Sequence, residues 1–229
     1  MKFVLSFVLS AFFSVPSLGA IKFKSAVPET IKAQMLKDLE LTESFEGTAT
    51  SKLYLNIFGA SILEGTGLNQ FFEQRIKEVD MDDCGGGNSV AACVQTFVAP
   101  NTMFLSENFV KNDFPQVYRI SIVFHEARHT EITNGGWPHK VCPTPYLDEQ
   151  GRDIVGKISG MKMEGHDACD DIAMGAYGMQ AVLLKSIQNA CTNCSEKIMM
   201  DAEIFGDDTL LRIHDLGVRK LMRSDLEKK

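Results

Sequence analysis

The sequence predicts an α+β fold, with strands and helices mixed up to about residue 110 and mainly helices from about 111 to 229. Three observations predict it. Short alternating or extended apolar runs are confined to the first half. Val117, Ile120, Ile122, Val123 and Phe124 crowd one segment so densely that a helix there must be buried on more than one side. Residues 195–229 repeat an amphipathic helical pattern. At 229 residues and 45% apolar content, the chain suits one domain with a core of its own.

The first twenty residues read as a signal peptide. Lys2 is the positive start, Phe3 to Phe13 form the apolar stretch, and Pro16, Ser17, Gly19 and Ala20 give a small-residue exit. The apolar run is short for spanning about 30 Å of hydrocarbon, so an uncleaved anchor is the lesser reading. The mature part, 21–229, is expected to be an exported single domain, periplasmic or extracellular. Loss of residues 1–20 removes Lys2 and no acidic residue, leaving 22 basic and 30 acidic residues, a net charge of −8. That balance disfavours nucleic acid and anionic membrane as partners.

Along the chain, residues 21–28 look extended, and Thr30 is a candidate cap for a helix carrying Ile31, Met35, Leu36 and Leu39. Leu53, Leu55 and Ile57 alternate, predicting a strand over 52–58. Gly59 to Gly67 is punctuation. Leu68, Phe72, Ile76 and Val79 recur at helical spacing, predicting a helix over 69–79. Asp80 to Asn88, with three consecutive glycines, is a loop. Residues 94–99 and 102–106 read as short strands around Pro100-Asn101. A helix is expected from about Pro115 to Glu131, ended by Asn134-Gly135-Gly136. Residues 137–168 are loop-rich. A second buried helix is expected from Cys169-Asp170 to about Asn189.

All six cysteines (Cys84, Cys93, Cys142, Cys169, Cys191 and Cys194) lie in the mature part. An even count in an exported chain points to disulfides, and the expected pairing is the local one: Cys84–Cys93, Cys142–Cys169 and Cys191–Cys194. The Cys-x-x-Cys spacing at 191–194 can also mark a redox pair, but no thioredoxin-like βαβ context accompanies it.

The chemistry concentrates at His125-Glu126-Ala127-Arg128-His129. On a helix the two histidines lie one turn apart on one face, where one ion can take both imidazoles. Glu126 sits beside His125, placed to act as a general base on a water whose pKa zinc has lowered. The motif is short, but the apolar run before it puts it on a buried helix, where uncompensated His and Glu are costly. Arg128 faces away from the pair and is expected to make a structural salt bridge.

This stretch resembles the zincin metallopeptidases, which share HExxH on an active-site helix after an edge strand. The patterns Val123 to Thr130, His139-Lys140-Val141-Cys142-Pro143, Ala168-Cys169-Asp170-Asp171 and Gly175-Ala176-Tyr177 are similar to a poorly characterised group of exported bacterial zincin-like proteins. The resemblance covers about residues 95–185. It implies a small mixed or antiparallel sheet whose edge strand lies over the motif helix, a Zn2+ cofactor, a peptide or protein substrate and a peptide-bond hydrolase. A non-enzymatic exported binding protein on the same fold is the alternative.

A catalytic zinc needs a third protein ligand and an open position. Ile132 and Gly135 break the metzincin spacing after His129, and Met174 breaks the aspzincin spacing before Tyr177-Gly178. An acidic ligand from a later helix then favours Asp171, which shares a helical face with Gly175 and Gly178 if that helix starts near Cys169. His139 is the rival, and Asp170 comes third. Asp170 or Asp171 is equally a candidate N-cap. A Cys142–Cys169 bridge would gather His139 and the Asp pair. Tyr177, or else His139 or His166, is a candidate oxyanion stabiliser, though a core role for Tyr177 is the commoner one. His166 by default is a surface-loop residue, and His214 is expected to be structural on a tail helix.

Overall fold

The computed structural model describes residues 21–85, 90–158 and 160–227. The expected signal peptide, and Gly86, Gly87 and Asn88 of the expected loop, lie outside these residues. The architecture is mixed α+β. Four short strands, β1 (Lys22–Phe23), β4 (Glu78–Met81), β5 (Ala92–Val94) and β6 (Thr102–Leu105), form one sheet in the order β1-β4-β6-β5. The first three are parallel, and β5 is an antiparallel edge strand that pairs Cys93 with Phe104. Parallel strands are covered on both faces, and accordingly Val79, Met103 and Leu105 are wholly buried. A hairpin of β2 (Glu46–Ala49) and β3 (Ile62–Glu64), and a ribbon of β7 (Lys140–Val141) and β8 (Asp167–Cys169), complete the strands.

Helix α1 (Glu29–Glu43) buries Ile31, Met35 and Leu39, as their spacing predicts. Its cap position is Pro28, however, and Thr30 lies inside the helix. Residues 52–58, expected as a strand, form helix α2 (Lys52–Phe58). The reason lies at its ends. Ser51 Oγ accepts the Tyr54 N–H at 3.0 Å, and Gly59 closes the helix at φ +76°. Tyr54 and Ile57 carry the buried face and Tyr54 packs on Phe58, while Leu55 is 44% exposed. The period-2 alternation of leucines was incidental to that face.

The expected helix over 69–79 is α3 (Gly65–Arg75), which starts earlier and stops earlier. Ile76 is already extended and Val79 belongs to β4. One buried stripe therefore crosses a helix–strand junction. Of the expected strand over 94–99 only Val94 is strand, as the last residue of β5, and residues 95–99 turn outward with Phe97 and Val98 on the surface.

After α4 (Glu107–Lys111) comes α5 (Gln116–His129), the motif helix. It is buried along most of its length, lying between the β5 edge and α3 on one side and α6 (Ala176–Ala190) on the other. Phe124 anchors it among Phe58, Phe71 and Phe72, with ring centroids 5.8–6.4 Å away. Helices α7 (Glu196–Leu210) and α8 (Leu216–Leu226) close the C-terminal part. His214 lies between them, ahead of α8 and not on it.

Helix α6 begins later than expected. Cys169 belongs to β8, and Asp170 bridges to Ile213 through Asp170 N–H to Arg212 C=O and His214 N–H to Asp170 C=O. Asp171 and Gly175 thus precede the helix, so Asp171, Gly175 and Gly178 share no helical face. The three disulfides join Cys84–Cys93, Cys142–Cys169 and Cys191–Cys194. No helix among the described residues is long and apolar enough to cross a membrane.

Candidate metal centre

The last turn of α5 carries His125 and His129 on one face, as the four-residue spacing requires. The chain then leaves α5 through a 3-10 turn (Ile132–Asn134) and two glycines, Gly135 and Gly136, both at positive φ. A side chain at Gly136 would strike Thr96, so only glycine lets the return run this close to β5. That return delivers His139 to the motif. The Nε2 atoms of His125, His129 and His139 lie 3.1, 3.2 and 3.2 Å from one another. Among the described residues, these three can hold a metal ion.

The outer nitrogens say which form the imidazoles take. His129 Nδ1 is 2.7 Å from the Gly136 carbonyl oxygen, which can only accept. His139 Nδ1 is 2.9 Å from Asp170 Oδ1, and the ring donates to that carboxylate. Neutral rings with Nδ1–H turn bare Nε2 lone pairs inward, and lone pairs at this distance repel unless a cation lies between them. Four-coordinate zinc with nitrogen bonds of about 2.0–2.1 Å separates its ligands by about 3.3–3.4 Å, close to what is found here. The donor set fits zinc.

Electrostatics disfavour protons as that cation. Burial, and next the neighbouring imidazoles His129 and His139, hold the His125 pKa well below 6.5. Burial and His139 lower His129 to about 4. Neutral imidazole is the form a metal needs. An outer shell of hydrogen bonds, from the Gly136 carbonyl and from Asp170, orients His129 and His139. For His125 that shell is incomplete, because its Nδ1 is buried without a hydrogen bond of good geometry. Gln180 is the side chain that approaches it, and Gln180 Nε2 donates to Ser121 Oγ at 3.0 Å.

Asp170 does more than orient His139. Its Oδ2 accepts the Tyr177 N–H at 2.9 Å, so it also satisfies an end group of α6 from outside the helix. A Cβ at Gly175 would collide with that carboxylate. The glycine thus serves the approach of Asp170, not a close helix crossing. Asp171 lies outside the His triad and is neither the cap nor on α6.

Glu126 is 5% exposed, and burial raises its pKa to about 8. Tyr177 packs its ring on His125 and His139, with centroids 4.6 and 4.4 Å away. Burial pushes its phenol up to about 12, with Arg212 opposing the shift. Arg212 Nη1 lies 3.5 Å from the Tyr177 hydroxyl. Arg128 points away, donating to the Met174 carbonyl and pairing with Glu131 at 2.6 Å, the structural role its position suggests. Glu131 also takes Arg75 and the Trp137 indole N–H, tying α3, α5 and the return loop into one unit. His166 lies outside the triad in the loop before β8.

Sequence reasoning missed the partners Gly136, Asp170 and Gln180 in these roles. Two are backbone or loop placements with no periodic signal. Comparison of the chain with family profiles, curated proteins and solved structures gave no match.

Proposed function

We propose that the chain is an exported zinc-dependent hydrolase that cleaves peptide bonds. The observation that carries this reading is the convergence of three imidazoles, His125, His129 and His139, with the buried Glu126 next to His125 on α5. Three nitrogens leave a fourth position open, the pattern of catalytic rather than structural zinc. Bound there, zinc supplies Lewis acidity toward a carbonyl and acidifies water.

The chain's own residues supply the rest. Glu126 takes a proton from the attacking water and passes it to the leaving amine nitrogen. Burial raises its pKa to about 8, which suits the return of that proton to the leaving nitrogen. Tyr177 keeps its proton across that range and donates a hydrogen bond to the developing oxyanion. Asp170 and the Gly136 carbonyl hold the His139 and His129 rings in orientation. The disulfides favour an oxidising compartment, which supports export.

Elemental analysis of the purified mature chain should give one zinc per chain. Glu126→Gln should keep the zinc while kcat/KM on a cleaved peptide falls by roughly 10²–10⁴-fold. Retained activity in that variant refutes the role given to Glu126. The non-enzymatic alternative draws on the lack of a recognised third-ligand spacing; the nearness of His139 to the His125–His129 pair favours the hydrolase reading over it. Cleavage of an unbiased peptide library, lost on chelation, separates the two readings.

A further inference from the structure

Beside the triad lies a cavity of about 240 Å³, whose lining includes Trp137, Pro138, Lys140, Asp170, Asp171 and Ile172. Its walls are the two chain segments that flank the site: the return loop that carries His139 and the approach to α6 that carries Asp170. The volume is below the usual range for a whole small-molecule ligand, roughly 300–1,000 Å³, and suits one side chain of a larger one.

Three features give the cavity a chemical preference. Trp137 forms one wall at φ +49°, a backbone strain uncommon outside glycine. It is pinned there by its N–H bond to Glu131 at 2.8 Å and by the Arg128 guanidinium 4.6 Å from its ring centroid. Pro138 and Ile172 add apolar surface. The charged groups on the wall are Asp170, Asp171 and Lys140. Asp170 is engaged by His139 and by the Tyr177 N–H. Asp171 is half-buried and has no hydrogen bond or ion pair among the described residues. Lys140 is exposed and free to extend into water. The wall therefore carries a net charge of −1, an unspent carboxylate, and an aromatic face with apolar neighbours.

We infer that this cavity is a subsite for a basic side chain, arginine or lysine, of a peptide ligand, with Asp171 pairing the cationic head and Trp137, Pro138 and Ile172 packing its stem. A cation with an alkyl stem matches each of these walls, and a guanidinium gains further from the aromatic face. The acidic chain as a whole attracts such peptides. The inference rests on the zinc-hydrolase reading only for the peptide nature of the ligand, because Asp171, Trp137 and Ile172 are not in the His triad.

The test uses two blocked pentapeptides, acetyl-Ala-Ala-Arg-Ala-Ala-amide and its citrulline counterpart, which has nearly the same shape and no charge. Binding is measured by titration calorimetry on mature Glu126→Gln protein, so turnover plays no part. The arginine peptide should bind at least about tenfold more tightly, the scale of one charge-assisted hydrogen bond. Adding Asp171→Asn should collapse the preference to less than about threefold, and Trp137→Leu should weaken the arginine peptide further. The preference should survive treatment with a chelator. Equal binding of the two peptides, no binding of either, or a preference that Asp171→Asn leaves intact overturns the assignment. A chain that holds no zinc but keeps the arginine preference overturns the hydrolase reading alone.

Discussion

Replacing His139 by alanine and, separately, Asp171 by alanine distinguishes the two third-ligand candidates by direct measurement. The geometry assigns them different consequences. His139 Nε2 stands 3.1 and 3.2 Å from the other two imidazole nitrogens, whereas Asp171 lies outside the triad. Structural zinc sites with four ligands gain about 10–16 kcal/mol at neutral pH, so one ligand accounts for roughly 3–4 kcal/mol. His139→Ala should therefore raise the apparent zinc Kd by about 10²–10³-fold. Asp171→Ala should leave zinc affinity within about threefold of wild type. Competition against a chromophoric chelator at pH 7.5, with elemental analysis after dialysis, reads both. If Asp171→Ala loses zinc while His139→Ala retains it, the three-histidine site is refuted.

Chelator-treated protein should lose stability on acidification through the histidines. His129 titrates at about 4 in the folded chain against about 6.5 unfolded, so the unfolded state takes its proton first. That contribution is complete above pH 6.5 and is lost as pH falls toward 4, by about 2 kcal/mol at pH 5; urea unfolding at pH 7.5 and 5, with His129→Gln as comparator, checks it. Asp38→Ala should cost about 3–5 kcal/mol, because it leaves the largely buried Arg119 without the carboxylate that grips it at 2.8 and 2.9 Å. A loss of unfolding free energy under about 1 kcal/mol by urea titration would contradict that. The double variant Cys142→Ser with Cys169→Ser removes a buried bridge spanning 27 residues, which should cost about 3–4 kcal/mol. It should also weaken zinc binding more than the double serine variant at Cys84 and Cys93 does, because only the former bridge joins the His139 and Asp170 segments.

The parts of the fold legible in the sequence were those where one strong pattern had no competitor. Helix α5 combined a dense apolar run with a glycine stop, and α1 a clean helical stripe. Residues 52–58 failed because two patterns overlapped. The leucine alternation suggested a strand, while the Ser51 cap and the Gly59 stop, which decide the outcome, are weak signals without coordinates. The stripe Leu68, Phe72, Ile76 and Val79 failed differently. A helix entering a parallel strand keeps burying residues, so burial continued while the backbone changed. The lesson is that apolar spacing reports burial first and secondary structure only where the termini agree.

At the site the same limit appears in a sharper form. The pairing of His125 with His129 was readable because one helix fixes their relation, and spacing of four residues on a helix is a distance. The third corner depends on a loop, where spacing carries no distance at all. Asp171 gained its place from a helix assumed to begin near Cys169. Once α6 begins at Ala176, that shared face vanishes, and Asp170 is left holding both the start of α6 and the ring of His139. Two local facts made His139 the rival ligand from sequence, without deciding for it. Gly135-Gly136 permits a sharp return toward the helix end, and the Cys142–Cys169 pair brings His139 to an acidic partner. A neutral histidine with a carboxylate behind it is what a metal ligand requires, whereas a bare carboxylate on a loop has no such support. The Asp that resembled a ligand thus became available for another task, and its unspent charge beside Trp137 is what the arginine–citrulline comparison measures.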